Sequence, residues 1–197
     1  MEPKQIKRIK QAERVKQTKE ITKKVLLALA GGAFLTLAMV APGVLIAAKP
    51  LVEEWKKYDQ RRLRAALKRM RKQRIIEFKE TKNGETIIKI TKKGEEKVLK
   101  YKFQDLVIPK PKKWDKIWRI VIFDIPNKKK LAREVLREKL KELGFYKIQK
   151  SVFVYPYECE NEIEFIKAIF NIQPYILLIR AKEIDNEEFL RRYFNLD

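Results

Sequence analysis

Apolar positions divide the chain into two halves of different character. Residues 1–24 are polar and lysine-rich, with Ile6, Ile9, Val15 and Ile21 scattered among the charges. That pattern fits a weakly amphipathic helix or a solvated tail, and the tail is the reading adopted. Val25 to Ala48 (VLLALAGGAFLTLAMVAPGVLIAA) then carries no charge and is flanked by Lys23-Lys24 and Lys49. Such a run is long enough to span a bilayer. The preferred reading is two core helices, split at Gly31-Gly32 or, favoured, at Pro42-Gly43, because the charged helix that follows needs apolar helices to rest on. A cleaved signal peptide fits less well: the basic arm ahead of the run is long, and cleavage near Ala47-Ala48 would discard that support.

From Asp59, a residue suited to an N-cap, the pattern becomes DQRRLRAALKRMRKQR. Leu63, Leu67 and Met70 recur at i, i+4 and i+7 and make one apolar face, while Arg61, Arg62, Arg64, Lys68, Arg69, Arg71, Lys72 and Arg74 crowd the rest. A hairpin follows, with Ile76 and Phe78 alternating on one strand, Ile88 and Ile90 on the other, and Asn83-Gly84 as the turn. Thr91 to Leu99 reads as a short helix and Val107 to Trp114 (VIPKPKKW) as a proline-stiffened linker.

The second half alternates. A strand is expected over about 117–124, a helix over 128–143, strands within 145–155, a helix over 160–170 and a strand over 175–181. Leu131, Val135, Leu136, Leu140 and Leu143 form the buried stripe of the first of these helices, and Gly144 stops it. This order is the ferredoxin-like βαββαβ pattern, with helices on one face of an antiparallel sheet. The expected class is therefore α+β: a basic arm (1–24), an N-terminal winged helix-turn-helix (25–106), a linker (107–116) and a ferredoxin-like domain (117–197).

Composition changes the picture in two ways. With 47 Lys+Arg against 26 Asp+Glu the net charge is +21, which favours a polyanionic partner: double-stranded DNA first, an anionic membrane surface second. The charge is uneven, with 18 basic and 8 acidic side chains over 53–102 but 5 basic and 9 acidic over 151–197. Histidine is absent, which excludes Ser-His-Asp and Cys-His nucleophiles and histidine metal sites. The single cysteine, Cys159, excludes an internal disulfide or a zinc cluster and fits a reducing cytoplasm. It has no basic neighbour in sequence to activate it.

A winged helix reads DNA with a helix in the major groove and a hairpin on the neighbouring backbone. The helix candidates are Arg61, Arg62, Arg64, Lys68, Arg69, Arg71 and Lys72, and the wing candidates are Lys79, Lys82 and Lys89. The plainer alternative is a solvated charged helix beside an unremarkable hairpin.

The segment LRAALKRMRKQRIIEFKETKNGETIIKITKKGEEKVLKY resembles the end of a winged-helix domain. KWDKIWRIVIFDIP and GFYKIQKSVFVYPYE resemble the middle domain of PaaX-like transcriptional repressors, itself similar to the ferredoxin-fold endonuclease of CRISPR adaptation. The resemblance implies a homodimeric, sequence-specific DNA-binding repressor whose winged helix contacts the operator, and no cofactor is expected for that role. The phenylacetyl-coenzyme A effector of the named family is not carried over, because those repressors have a further C-terminal domain. The second likeness implies a rival: a nuclease dependent on Mg or Mn, in which Asp124, at the end of the first strand, would be the metal ligand contributed once by each subunit. One carboxylate per chain suffices only if a dimer brings two together. The alternative, preferred on the residues, is that Asp124 ends the strand while Asn127 caps the next helix.

Overall fold

The computed structural model describes residues 3–31, 35–36, 60–80, 82 and 86–196. The chain forms two units, Met1–Lys102 and Phe103–Asp197. Residues 107–116, expected as the linker, lie inside the second unit, because Ile108 is buried in that unit's core and ties the segment to it.

In the first unit, helix α1 (Pro3–Ala30) replaces the expected tail. Its last third supplies Ile21, Val25, Leu26 and Leu29 to the core, and a helix anchored at one end propagates upstream more readily than it nucleates alone. It stops at Ala30, with Gly31 in a turn. Strand β1 (Leu35–Thr36) follows, so the apolar run is not one continuous span. Among the described residues no helix is long and apolar enough to cross a membrane. Thr36 is in a sheet where a helix was expected, since Leu35 pairs with Ile88. Pro42-Gly43 and Asp59 lie outside the described residues, as does the Asn83-Gly84 turn.

Helix α2 (Gln60–Lys72) seats Leu63, Ala66, Leu67 and Met70 on that core. Strands β2 (Ile76–Glu80) and β3 (Thr86–Ile90) pair antiparallel, with Ile76 opposite Ile90 and Phe78 opposite Ile88, as the alternation predicts. The three-strand order is β1-β3-β2. Helix α3 (Lys92–Gln104) follows. The Thr91 hydroxyl caps it, accepting from the Gly94 amide at 3.2 Å while donating to the Arg74 carbonyl at 2.7 Å.

The second unit comprises β4 (Trp118–Phe123), a 3₁₀ turn (Asn127–Lys129), α4 (Lys130–Glu142), β5 (Tyr146–Gln149), β6 (Val152–Tyr155), α5 (Glu160–Phe170), β7 (Ile176–Ala181) and α6 (Glu187–Phe194). The sheet is antiparallel in the order β5-β6-β4-β7, the ferredoxin-like arrangement. Val121, Phe123, Phe153 and Tyr155 face Leu136 and Leu140 of α4 and Ile163 and Ile166 of α5. Gly144, at φ 92°, ends α4 through the Schellman bond from the Phe145 amide to the Leu140 carbonyl.

Two local expectations are corrected. Leu131 is 80% exposed, because α4 rotates it away from the sheet and buries Leu136, Leu140 and Leu143 instead. Asn127 does not cap α4: its side-chain oxygen accepts from the Arg133 guanidinium at 3.1 Å. Helix α6, not expected from the pattern, covers part of the other sheet face by packing Leu190 and Phe194 near Trp118 and Val154.

Candidate nucleic-acid interface

The sequence QRRLRAALKRMRK places apolar residues on one side of α2 and no acidic residue anywhere on it. Arg61, Arg62, Arg64, Lys68, Arg69, Arg71 and Lys72 are all exposed, so the helix presents a cationic surface opposite the side that holds it in the core. Two contacts orient its ends. The Arg62 guanidinium donates to the Gln17 side-chain oxygen of α1, and the Arg71 guanidinium lies 4.9 Å from the centre of the Phe78 ring on β2. Neither contact was foreseen. Gln17 and Arg62 are 45 positions apart in sequence and nothing local in either segment pairs them.

The hairpin is less uniformly basic than the helix. Lys79, Lys82 and Lys89 are exposed. Lys79 Nζ, however, lies 3.2 Å from Glu77, and Lys89 is directly opposite Glu77 across the strand pair. An anion approaching this face meets a carboxylate among the lysines, which weakens the hairpin's attraction for phosphate.

The second unit holds different chemistry. Asp124 follows β4, is exposed, and uses its amide to donate to the Tyr175 carbonyl at 3.0 Å. Among the described residues no three carboxylate or thiol side chains gather into a metal-holding group. Among the described residues, Asp124 is thus not joined by the further carboxylates that would make a divalent-cation site within one chain. Of the three lysines after it, Lys128 and Lys130 are exposed, whereas Lys129 is half-buried, donates to the Asn171 carbonyl and sits 5.8 Å from the Tyr175 ring centre. Cys159 is fully buried, and burial pushes its thiol up to about 12, which removes it as a nucleophile near neutral pH.

Beside Cys159 lies a hollow of about 760 Å³ whose walls include Asp115, Arg119, Glu160 and Arg180. Arg119 is 2% exposed and bidentate to Asp115, with bonds of 2.7 and 2.6 Å. It also donates to the carbonyls of Ile117 and Pro156. Glu160 bonds Arg180 at 2.7 Å. Cation and carboxylate are thus matched within the hollow.

Residues 111–190, the bulk of this second unit, match the family model of the PaaX protein central Cas2-like domain. Residues 111–190 are PaaX-like. The match bears out the likeness carried by KWDKIWRIVIFDIP and GFYKIQKSVFVYPYE, and the strand order agrees with the ferredoxin-like fold of that domain. No curated protein matches the chain. The cationic helix α2 lies ahead of the matched PaaX span, so its role has to be argued from its own residues.

Proposed function

We propose that the protein is a PaaX-like transcription regulator, acting as a repressor, whose first unit is a winged helix that reads double-stranded DNA and whose second unit dimerises. The observation that carries the reading is α2 itself: seven exposed cations, no acid, and an apolar side fixed in the core. A phosphate-lined groove is the partner that such a helix fits, and Arg and Lys side chains on it can reach both base edges and backbone oxygens. The antiparallel β2–β3 pair following the helix supports a wing, with Lys79, Lys82 and Lys89 as its backbone contacts.

Dimerisation is supported by the face of the second sheet away from α4 and α5. Register places Leu177 and Ile179 of β7 beside Ile122 and Ile120 of β4, and Leu177 and Ile179 remain 58% and 36% exposed. An apolar surface of this kind suits a second copy of the chain.

The test is a gel-shift titration of full-length protein on duplex from around its own gene, in magnesium and with excess competitor DNA. Arg64→Ala and Lys68→Ala weaken binding, by about tenfold each if a charge-assisted hydrogen bond is lost, while Asp124→Ala binds as well as the wild type. Equal binding by all three variants sinks the assignment to α2.

The Cas2-like character of residues 111–190 favours one rival, a Mg- or Mn-dependent nuclease with Asp124 as ligand. That reading requires two copies to bring two Asp124 carboxylates together. It is read in the same experiment on a denaturing gel, where shortened strands that vanish with chelator and in Asp124→Ala would establish it.

A further inference from the structure

We infer that the N-terminal half of α1 is a second duplex contact, a clamp on the phosphate backbone beside α2; the inference rests on the DNA-binding reading of α2. From Ile21 onward α1 is anchored in the core. Ahead of it, the described side chains from Gln5 to Glu20 are exposed, apart from the half-buried Thr18. Residues 3–20 carry seven Lys and Arg against two Glu.

Beyond its anchored end and the Gln17–Arg62 bond, this stretch has little of its own to hold it. Ile6, Ile9, Ala12 and Val15 recur every three residues, so at about 100° per residue they sweep about half the circumference with Arg8, Glu13 and Lys16 interleaved, and form no continuous apolar face. Like charges stand one turn apart at Lys4 and Arg8, Lys10 and Arg14, and Lys16 and Lys19, which destabilises an isolated helix. A polyanion alongside removes that repulsion. The missing apolar face also decides between polyanions: a helix that lies in a membrane surface buries one face among acyl chains, and this one has none to bury. A row of phosphates asks only for charge.

Position favours the same duplex that α2 would read. The bond from Arg62 to Gln17 ties the projecting part of α1 to the start of α2. Back from Gln17 to Pro3 the helix extends about 21 Å at 1.5 Å per residue, the rise of roughly six base pairs. Arg8, Lys16 and Lys19 border one open hollow with Gln11, Ala12 and Val15, and so place three cations along one side of this stretch, the cationic stripe. Contacts to phosphate add affinity and carry no sequence information.

The experiment measures binding of full-length wild type, the triple variant Arg8→Gln/Lys16→Gln/Lys19→Gln and the α2 variant Arg64→Gln/Lys68→Gln to the duplex from around the gene and to a scrambled duplex, over a salt series. At about 0.9 per phosphate contact, the triple variant is expected to flatten the slope of log K against log salt by about 2 to 3. It does so equally on both duplexes, leaving their affinity ratio unchanged, and Arg8→Lys/Lys16→Arg/Lys19→Arg restores the slope. Discrimination lost in the α2 variant with no change of slope in the triple variant overturns the clamp and spares the reading of α2. The converse, a flattened slope with an indifferent α2 variant, sinks the reading of α2 and leaves α1 as the contact. Failure of the wild type to bind either duplex overturns both. Unchanged DNA slopes together with loss of binding to phosphatidylserine vesicles would assign the stripe to a membrane.

Discussion

Arg119 shows what a single buried charge requires. A guanidinium 2% exposed must keep its partners, and Asp115 supplies the closest pair at 2.6 Å, with Glu158 at 3.8 Å and Glu160 at 3.9 Å farther off. Asp115→Ala leaves that charge without its bidentate partner and is expected to cost the second unit about 1 to 3 kcal/mol, the lower half applying because Asp115 is 40% exposed. Glu158→Ala, at an exposed and distant partner, costs under about 1 kcal/mol. Urea unfolding followed by the fluorescence of Trp114 and Trp118 separates the two, and equal midpoints would refute the ranking. The hydrogen bonds from Arg119 also hold the Asp115 carboxyl below its ordinary value, against the opposing pull of partial burial. The carboxylate's contribution is therefore fully present above its unfolded value of about 3.9 and is lost as pH falls through the lower folded value. The stability gap between wild type and Asp115→Ala should hold from neutral pH down to about 4 and close below it. The residues of this pair are four apart and legible as charges, but the sequence does not say that Arg119 points under α5 toward Pro156 while Asp115 turns back to meet it.

At the scale of elements, the junction between α3 and β2 is set by a close approach. A Cβ on Gly94 would lie 2.3 Å from the Ile75 carbonyl oxygen and 2.6 Å from the Ile90 side chain. Backbone cannot yield as a side-chain tip can, so Gly94→Ala is expected to cost the first unit about 1 to 3 kcal/mol, whereas Arg74→Gly, at φ 56°, relieves a left-handed conformation and does not destabilise. Thermal melts by circular dichroism measure both, and a Gly94→Ala protein as stable as wild type would show that the junction opens freely. Periodicity predicted most of the elements here. The alternation of β2 and β3, the extent of α5 and the Gly144 stop follow from patterns that stay within one element. Leu131, the helix α1 and the helix α6 were misjudged or missed for the opposite reason: which apolar residues face inward, and whether a short run such as EEFLRRYF folds at all, depend on the surface it meets.

Across the whole molecule, charge and apolar surface are divided between the units. The first carries the cationic helix and the second an antiparallel sheet with Leu177 and Ile179 exposed on an edge strand. If that face joins two copies, Leu177→Asp/Ile179→Asp converts a dimer to a monomer in sedimentation velocity without lowering the melting temperature, because neither side chain belongs to the unit's core. A wild type that sediments as a monomer at micromolar concentration removes the dimer by this face. Loss of dimerisation should also weaken DNA binding more than any single α2 substitution, since two linked half-sites act through effective concentration.

Sequence alone determined the two-part organisation and the βαββαβ order, because turn residues and local periodicity need no knowledge of distant neighbours. It also marked the cations of α2, whose exposure follows from Leu63, Leu67 and Met70 occupying the opposite side. Tertiary structure decided the rest. Only the fold joins Gln17 to Arg62, brings Leu35 to Ile88, moves Ile108 from a linker into a core and sets Arg119 among its carboxylates. Each of these is a contact between residues whose separation in sequence, or whose direction at a strand end, is fixed by packing and not by local preference. Asp124 illustrates the division: its place at the end of a strand was legible, but that no further carboxylates gather around it among the described residues is a property of the folded chain.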